Sequence, residues 1–120
     1  MTYENGCAGP AREVIDMESA LEQVAGDKDF LSELIVIFIN ELRKRLDEIR
    51  DGLDGADLTK VRIASHKLKG SASNIFANNI SCLAAKIELH AMNSEADFAR
   101  EKFDSLRVEA ENFIKWAEKR

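Results

Sequence analysis

The sequence has little of what interrupts regular structure: its 120 residues include 1 Pro and 6 Gly. Strand-like alternation, internal repeats and low-complexity tracts are not found in it. Its apolar runs stay well short of the roughly 18 residues that a transmembrane helix needs, and its N-terminus lacks the basic and apolar regions of a signal peptide. The sequence therefore predicts a helical protein that does not insert into a membrane.

Cysteine is equally scarce, with Cys7 and Cys82 as the 2 examples in the chain. They lie far apart and match neither the spacing of a zinc site nor that of a disulfide framework. The simplest interpretation is two reduced thiols. We therefore expect a reducing, cytoplasmic location.

The charge balance excludes some functions. The formal net charge is −5, with 45% hydrophobic and 32% charged residues, which is ordinary for a single globular domain. An acidic chain of this kind is a poor general ligand for nucleic acid or for an anionic membrane. We therefore expect neither partner.

Helical periodicity begins after residue 13. Residues 1–13 are expected to form a flexible N-terminal arm, and residues 14–120 a helical domain. The N-termini of the helices are expected to be capped by Asp16, Asp27, Asp57, Asn78-Asn79 and the capping-box-like stretch from Ser94 to Asp97. Their apolar stripes are expected to place Phe30 and Ile37 of the second helix and Phe98 of the last helix inside. Short connections between amphipathic helices predict an all-α fold, an antiparallel four-helix bundle with a short additional N-terminal helix. No second heptad stripe calls for a partner helix, so we expect a monomer.

The third helix carries an unusual exposed residue, His66. Helical spacing places its surface neighbours at Arg62, Ile63, Lys69 and Gly70. Glycine inside a helix costs about 0.5–1 kcal/mol relative to alanine, so Gly70 is unexpected in a purely structural helix. No Asp or Glu occurs between positions 58 and 87, although the chain holds 22 of them. The surroundings of His66 are therefore predicted to be positive and free of carboxylates.

This pattern favours a phosphoryl carrier. A neutral imidazole nitrogen is a competent nucleophile, and the ammonium group of Lys69 can stabilise a phosphoryl group on it. Gly70 removes a side chain that would block in-line approach of the donor. A lone exposed histidine is usually only a surface residue, but the combination with Lys69 and Gly70 favours function. His90 lacks such neighbours and is interpreted as an ordinary residue at a helix C-terminus.

The stretch from Ala64 to Ala72, with His66, Lys69 and Gly70 in H-x-L-K-G spacing, resembles the histidine-containing phosphotransfer (HPt) domain. The Ile87-Glu88 pair and the stretch after Asp27 are similar to further parts of that family's pattern. The resemblance implies that His66 accepts a phosphoryl group from an aspartyl-phosphate on a receiver domain and passes it to another receiver. It also implies that Lys69, helped by Lys67, stabilises the phosphoryl group, and that Gly70 gives access. The chain departs from the pattern at Phe76, where the family usually has Gly.

Several functions compete with a phosphocarrier. The chain could be the phosphoacceptor domain of a chemotaxis-type or hybrid histidine kinase, or an adaptor that binds receivers without phosphotransfer. A metal- or haem-binding bundle using His66 and His90 is disfavoured, because such bundles point their ligands inward. We expect no cofactor or metal on this chain, with Mg²⁺ on the partner receiver. The residues expected to contact that partner are Arg62, Ile63 and Ser73.

Overall fold

The computed structural model describes Cys7 and residues 14–120. Within this part of the chain every regular element is a helix, so the all-α prediction is confirmed. None of these helices is long and apolar enough to cross a membrane. The helices are α1 Met17–Gln23, α2 Lys28–Asp54, α3 Leu58–Asn74, α4 Asn78–Met92 and α5 Ala96–Glu118.

Helices α2 to α5 form an antiparallel bundle in which each helix packs beside its neighbour in sequence, and α1 packs against α2. The core is filled by large apolar side chains from all four long helices. Phe38 of α2 meets Phe113 of α5 edge to face, with ring centroids 5.1 Å apart. The fully buried side chains of the four long helices include Leu42, Ile49, Leu68, Ile87, Leu106 and Phe113.

Two predicted placements of apolar side chains are wrong for α2. Phe30 is 47% exposed and Ile37 is 63% exposed, because the buried stripe runs through Leu31, Ile35 and Phe38 instead. On α5 the same applies to Phe98, which is 53% exposed and stacks on His90. Apolar residues on the flank of a stripe cannot be separated from core residues by periodicity alone.

Aspartates cap the first three helices as predicted. Asp16, Asp27 and Asp57 each accept a hydrogen bond from the backbone N–H three residues later. The predicted caps of α4 and α5 are wrong: Ala77 and Glu95 occupy those positions, and neither makes a side-chain capping bond.

The reason lies in the turns between helices. Helices α1 to α4 each end with a residue in the left-handed conformation, followed by a backbone hydrogen bond that closes the turn. These left-handed residues are Ala25, Ala56, Phe76 and Ser94. In the last three turns the next residue is already the N-cap of the following helix, whatever its side chain. Phe76 has φ 61°, which explains why glycine, with its free access to this region, suits the position where the sequence departs from the family.

The prediction of two reduced cysteines is wrong in this structure. Cys7 and Cys82 form a disulfide with their Cα atoms 5.7 Å apart. Sequence spacing gave no hint of it, because the fold rather than the local sequence brings Cys7 to α4. Apart from Cys7, the predicted flexible arm at 1–13 lies outside the described residues.

Candidate phosphoryl-transfer site

The exposure of His66 follows from the way α3 packs. The apolar residues Val61, Ala64, Leu68 and Ala72 are buried against the bundle, which turns the opposite side of the helix to solvent. The His66 side chain is 63% exposed on that side. The predicted outward orientation of His66 is therefore present in the structure.

The prediction of a site without carboxylates is wrong. Glu88 of α4 lies beside His66, with its Oε2 2.8 Å from His66 Nδ1. Its other oxygen, Oε1, accepts a hydrogen bond from Lys69 Nζ at 2.7 Å. The acid-free stretch in the sequence ends at position 87, and the antiparallel packing of α4 on α3 brings the next residue to the imidazole.

The charge state of Glu88 fixes the tautomer of His66. Burial raises the pKa of Glu88, but the hydrogen bonds from Lys69 and His66 lower it by more than burial raises it. The pKa of Glu88 therefore lies below its ordinary value. Glu88 is therefore ionised near neutral pH and can only accept hydrogen bonds. Nδ1 of His66 must then carry the proton. In the neutral ring this leaves the lone pair of Nε2 free and facing away from Glu88.

The two lysines next to His66 in sequence have different surroundings. Lys69 is one turn after His66, on the side of α3 that faces α4, and shares Glu88 with it. Lys67 is exposed on the side that faces α2, where it makes a small contribution to lowering the pKa of Glu48, which is set mainly by Arg45. The structure thus joins Lys69, and not Lys67, to the His66–Glu88 pair.

Gly70 leaves the surface open one turn beyond His66. A Cβ atom added there would have no heavy-atom neighbour within 4 Å. The glycine is therefore not required for close packing of helices, in contrast to Gly52, where a Cβ would meet Val61 Cγ2 at 2.8 Å.

The predicted partner-contacting residues surround His66 unevenly. Arg62 and Ile63 are exposed one turn before it, and Ile63 is 43% exposed despite being apolar. Ser73 lies two turns after it, and its hydroxyl forms a hydrogen bond with Ser81 Oγ at 2.7 Å. Ser81 in turn donates to the backbone oxygen of Lys69, so Ser73 takes part in fastening α3 to α4.

One feature of this side was not predicted. A groove of about 420 Å³ runs between α2 and α3, beginning next to Ser71. Exposed Ile37 forms part of its wall, and exposed Phe30 lies about two turns before Ile37 on the same helix. The residues lining it are Leu34, Ile37, Phe38, Glu41, Ser71, Asn74 and Ile75. The signal in the sequence was an α2 with more apolar residues than one buried stripe can hold.

His90 does not belong to this site. Its Nδ1 pairs with Glu95 Oε1 at 2.9 Å and its ring stacks on Phe98. Among the residues that the structure describes, no group of three or more His, Cys, Asp or Glu side chains could hold a metal ion.

Comparison with protein-family models identifies the family of this chain. The family model described as the Hpt domain matches residues 33–116. The chain belongs to the Hpt domain family. The match spans α2 to α5 almost completely, including His66, Lys69 and Glu88.

Two individual proteins resemble this Hpt domain. The phosphorelay intermediate protein rdeA of Dictyostelium discoideum is 28% identical over 100 residues, and the match covers 83% of this chain and 39% of that protein. The chain thus spans well under half the length of this relative. The crystal structure of histidine-containing phosphotransfer protein B (HptB) from Pseudomonas aeruginosa PAO1 superposes with a TM-score of 0.82 at 19% identity, covering 93% of this chain and 95% of that one. This second match shows that the two chains share the same fold.

Proposed function

We propose that this Hpt domain is a phosphocarrier of a phosphorelay. His66 accepts a phosphoryl group from an aspartyl-phosphate on one receiver domain and passes it to an aspartate on another. The observation that carries the proposal is the exposed His66 with Nδ1 held by Glu88, because it leaves Nε2 unprotonated and directed to solvent.

The transfer step follows from this arrangement. Nε2 attacks phosphorus, the N–P bond forms, and the bond from phosphorus to the aspartyl oxygen breaks, returning a carboxylate to the receiver. The proton on Nδ1 stays on the ring, where Glu88 stabilises the positive charge that develops during attack. When His66 passes the phosphoryl group on, the N–P bond breaks and a bond forms between phosphorus and an aspartate oxygen of the second receiver. Any Mg²⁺ that assists belongs to the receiver's aspartate site.

Lys69 acts on the phosphoryl group, and Gly70 acts on the approach of the receiver. Lys69 Nζ is within hydrogen-bond distance of Glu88 and is one turn from His66, so a small movement of its flexible side chain brings its charge to a phosphoryl oxygen. Gly70 exposes backbone where a side chain would otherwise meet the incoming receiver.

The surface around His66 suits a partner with an acidic active site. Arg62, Lys67 and Lys69 supply positive charge, and Ile63 supplies apolar surface. The groove between α2 and α3 supplies further apolar surface, at the part of α3 that follows Ser71. We propose that the receiver covers both, with its phosphorylated aspartate at His66 and an apolar helix face in the groove.

The experiment that tests the carrier is transfer of labelled phosphate from a panel of phospho-receivers to the wild-type protein and to His66→Gln. His90→Gln is the matched control, because His90 also pairs with a glutamate through Nδ1 but lies outside the site. We expect label on the wild type and on the control, lost in acid and kept in base, and none on His66→Gln. Receivers that bind without labelling the wild type would instead indicate an adaptor.

The docking surface has a separate test. Ile37→Ser removes exposed apolar surface at the groove, and Val108→Ser removes a similar exposed residue on α5. We expect weaker receiver binding and slower transfer for Ile37→Ser, with Val108→Ser like wild type. Equal effects of the two substitutions would refute docking at the groove while leaving the role of His66 intact.

A further inference from the structure

The disulfide attaches the N-terminal part of the chain to α4, and a separate contact attaches it to the turn between α3 and α4. Cys7 is 7% exposed and is bonded to Cys82, which is half-buried on α4. The chain is anchored again at Ile15, which is 3% exposed, and at Asp16, whose backbone N–H donates to Phe76 O at 2.9 Å. The second anchor, at the turn between α3 and α4, does not depend on the bond.

The second anchor limits how far the two sulfur atoms can separate when the bond is broken, because the stretch from Cys7 to Val14 reaches at most about 25 Å. Six residues, 8–13, separate Cys7 from the described chain at Val14. A connection this short holds two groups at an effective concentration in the millimolar range or above. Opening consumes two molecules of glutathione and yields one of its disulfide, so its direction depends on the square of the reduced-glutathione concentration divided by the oxidised-glutathione concentration, compared with this effective concentration.

The bond is placed to act on stability rather than on chemistry. His66, Lys69 and Glu88 are joined by hydrogen bonds of their own, and Ser81 beside Cys82 also holds α4 to α3 by hydrogen bonds. The loop that the bond closes spans 75 positions and contains α1, α2 and α3, and hence His66. Closing a loop of that length restricts the unfolded chain, which lowers the unfolding equilibrium constant on the order of a thousandfold.

We propose that Cys7 and Cys82 form a redox-responsive clasp that sets the stability of the domain around His66. Opening consumes two molecules of a low-molecular-weight thiol: the protein disulfide is reduced to two thiols, and the two small thiols are oxidised to their disulfide. Closing is the reverse reaction with the oxidised small-molecule disulfide. The phosphoryl site is present in both states, and the reduced domain unfolds more easily.

The test equilibrates the full chain in buffers whose ratio of reduced to oxidised glutathione varies over about three orders of magnitude. Thiols are then trapped by alkylation, intact mass gives the fraction of closed clasp, and thermal melting is measured on the same samples. We expect one transition from the closed to the open form, and a lower melting temperature in step with it. Cys7→Ser and Cys82→Ser should melt like the reduced wild type at every ratio.

Several results would overturn the clasp. The first is an open pair at the oxidising end, or a disulfide between two chains instead of within one. The second is a bond still closed at the reducing end, which makes it a permanent cross-link. The third is equal melting of both forms. None of these readouts uses phosphotransfer, so their failure would leave the proposed carrier function standing.

Discussion

Replacing Glu88 by Gln is the most direct way to test how His66 is activated. Both oxygens of Glu88 are in use, Oε2 toward His66 Nδ1 and Oε1 toward Lys69 Nζ. An amide has one acceptor oxygen and one NH₂ group, and Lys69 can only donate. If the amide oxygen faces Lys69, its NH₂ group donates to Nδ1 of His66, and the ring proton moves to Nε2, the atom that must attack.

The size of the effect follows from the hydrogen bond that is lost. A hydrogen bond to a charged group contributes about 1.5–3 kcal/mol. Because the His66 side chain is 63% exposed, water replaces part of it, and we expect a loss of about 1–1.5 kcal/mol, or roughly a tenfold slower phosphorylation of His66.

The assay measures the rate of phosphoryl transfer from a saturating phospho-receiver, together with nitrogen NMR of the His66 ring. Glu88→Gln should slow transfer and shift the ring toward the tautomer protonated at Nε2. Glu95→Gln is the matched control, because it removes the same kind of pair at His90, and it should change neither readout for His66. An unchanged rate together with an unchanged tautomer in Glu88→Gln would refute the role assigned to Glu88.

Three further predictions concern single positions. Gly70→Ala should stabilise α3 by about 0.5–1 kcal/mol in urea unfolding, because a Cβ there meets nothing within 4 Å, whereas Gly70→Leu should slow transfer to His66 without loss of stability; a fast Gly70→Leu would argue against the access role. Glu109 is buried and hydrogen-bonded to Asn79, and burial raises its pKa above 4.5, so the stability that protonated Glu109 contributes is lost as pH rises through that raised pKa. Glu109→Gln should therefore melt at a higher temperature than wild type at about pH 7, with a smaller difference at about pH 4. The opposite order would contradict the pKa direction. Ala56, at φ 54°, should gain about 0.5–1 kcal/mol on replacement by Gly, measured by urea unfolding, because the left-handed backbone strains a side chain there; a loss would mean that the Ala side chain contributes more than the strain costs.

Much of the fold could be predicted because its signals are local. Asp16, Asp27 and Asp57 cap the helices that follow them, and a cap needs only the three residues after it. The starts of α4 and α5 could not be predicted in this way. At Ala77 and Glu95 the end of one helix determines where the next begins, and neither side chain makes a capping hydrogen bond.

The site was predictable only to the extent that it lies on one helix. His66, Lys69 and Gly70 are neighbours on α3, so their spacing revealed them. Glu88 Oε2 lies 2.8 Å from His66 Nδ1, yet the position of Glu88 depends on how α4 packs against α3. The same holds for Cys7 and Cys82, whose approach is a property of the folded chain rather than of their spacing.

The short turn between α3 and α4 also determines which side of α4 faces α3. Only three residues separate the two helices: Ile75 is the C-cap of α3, Ala77 is the N-cap of α4, and Phe76 between them is left-handed. A helix turns by about 100° for each residue. One residue inserted near the start of α4 would either rotate Glu88 away from His66 or expose Ile80 and Leu83, now buried. The length of this turn, more than its composition, is therefore what keeps a carboxylate beside the imidazole.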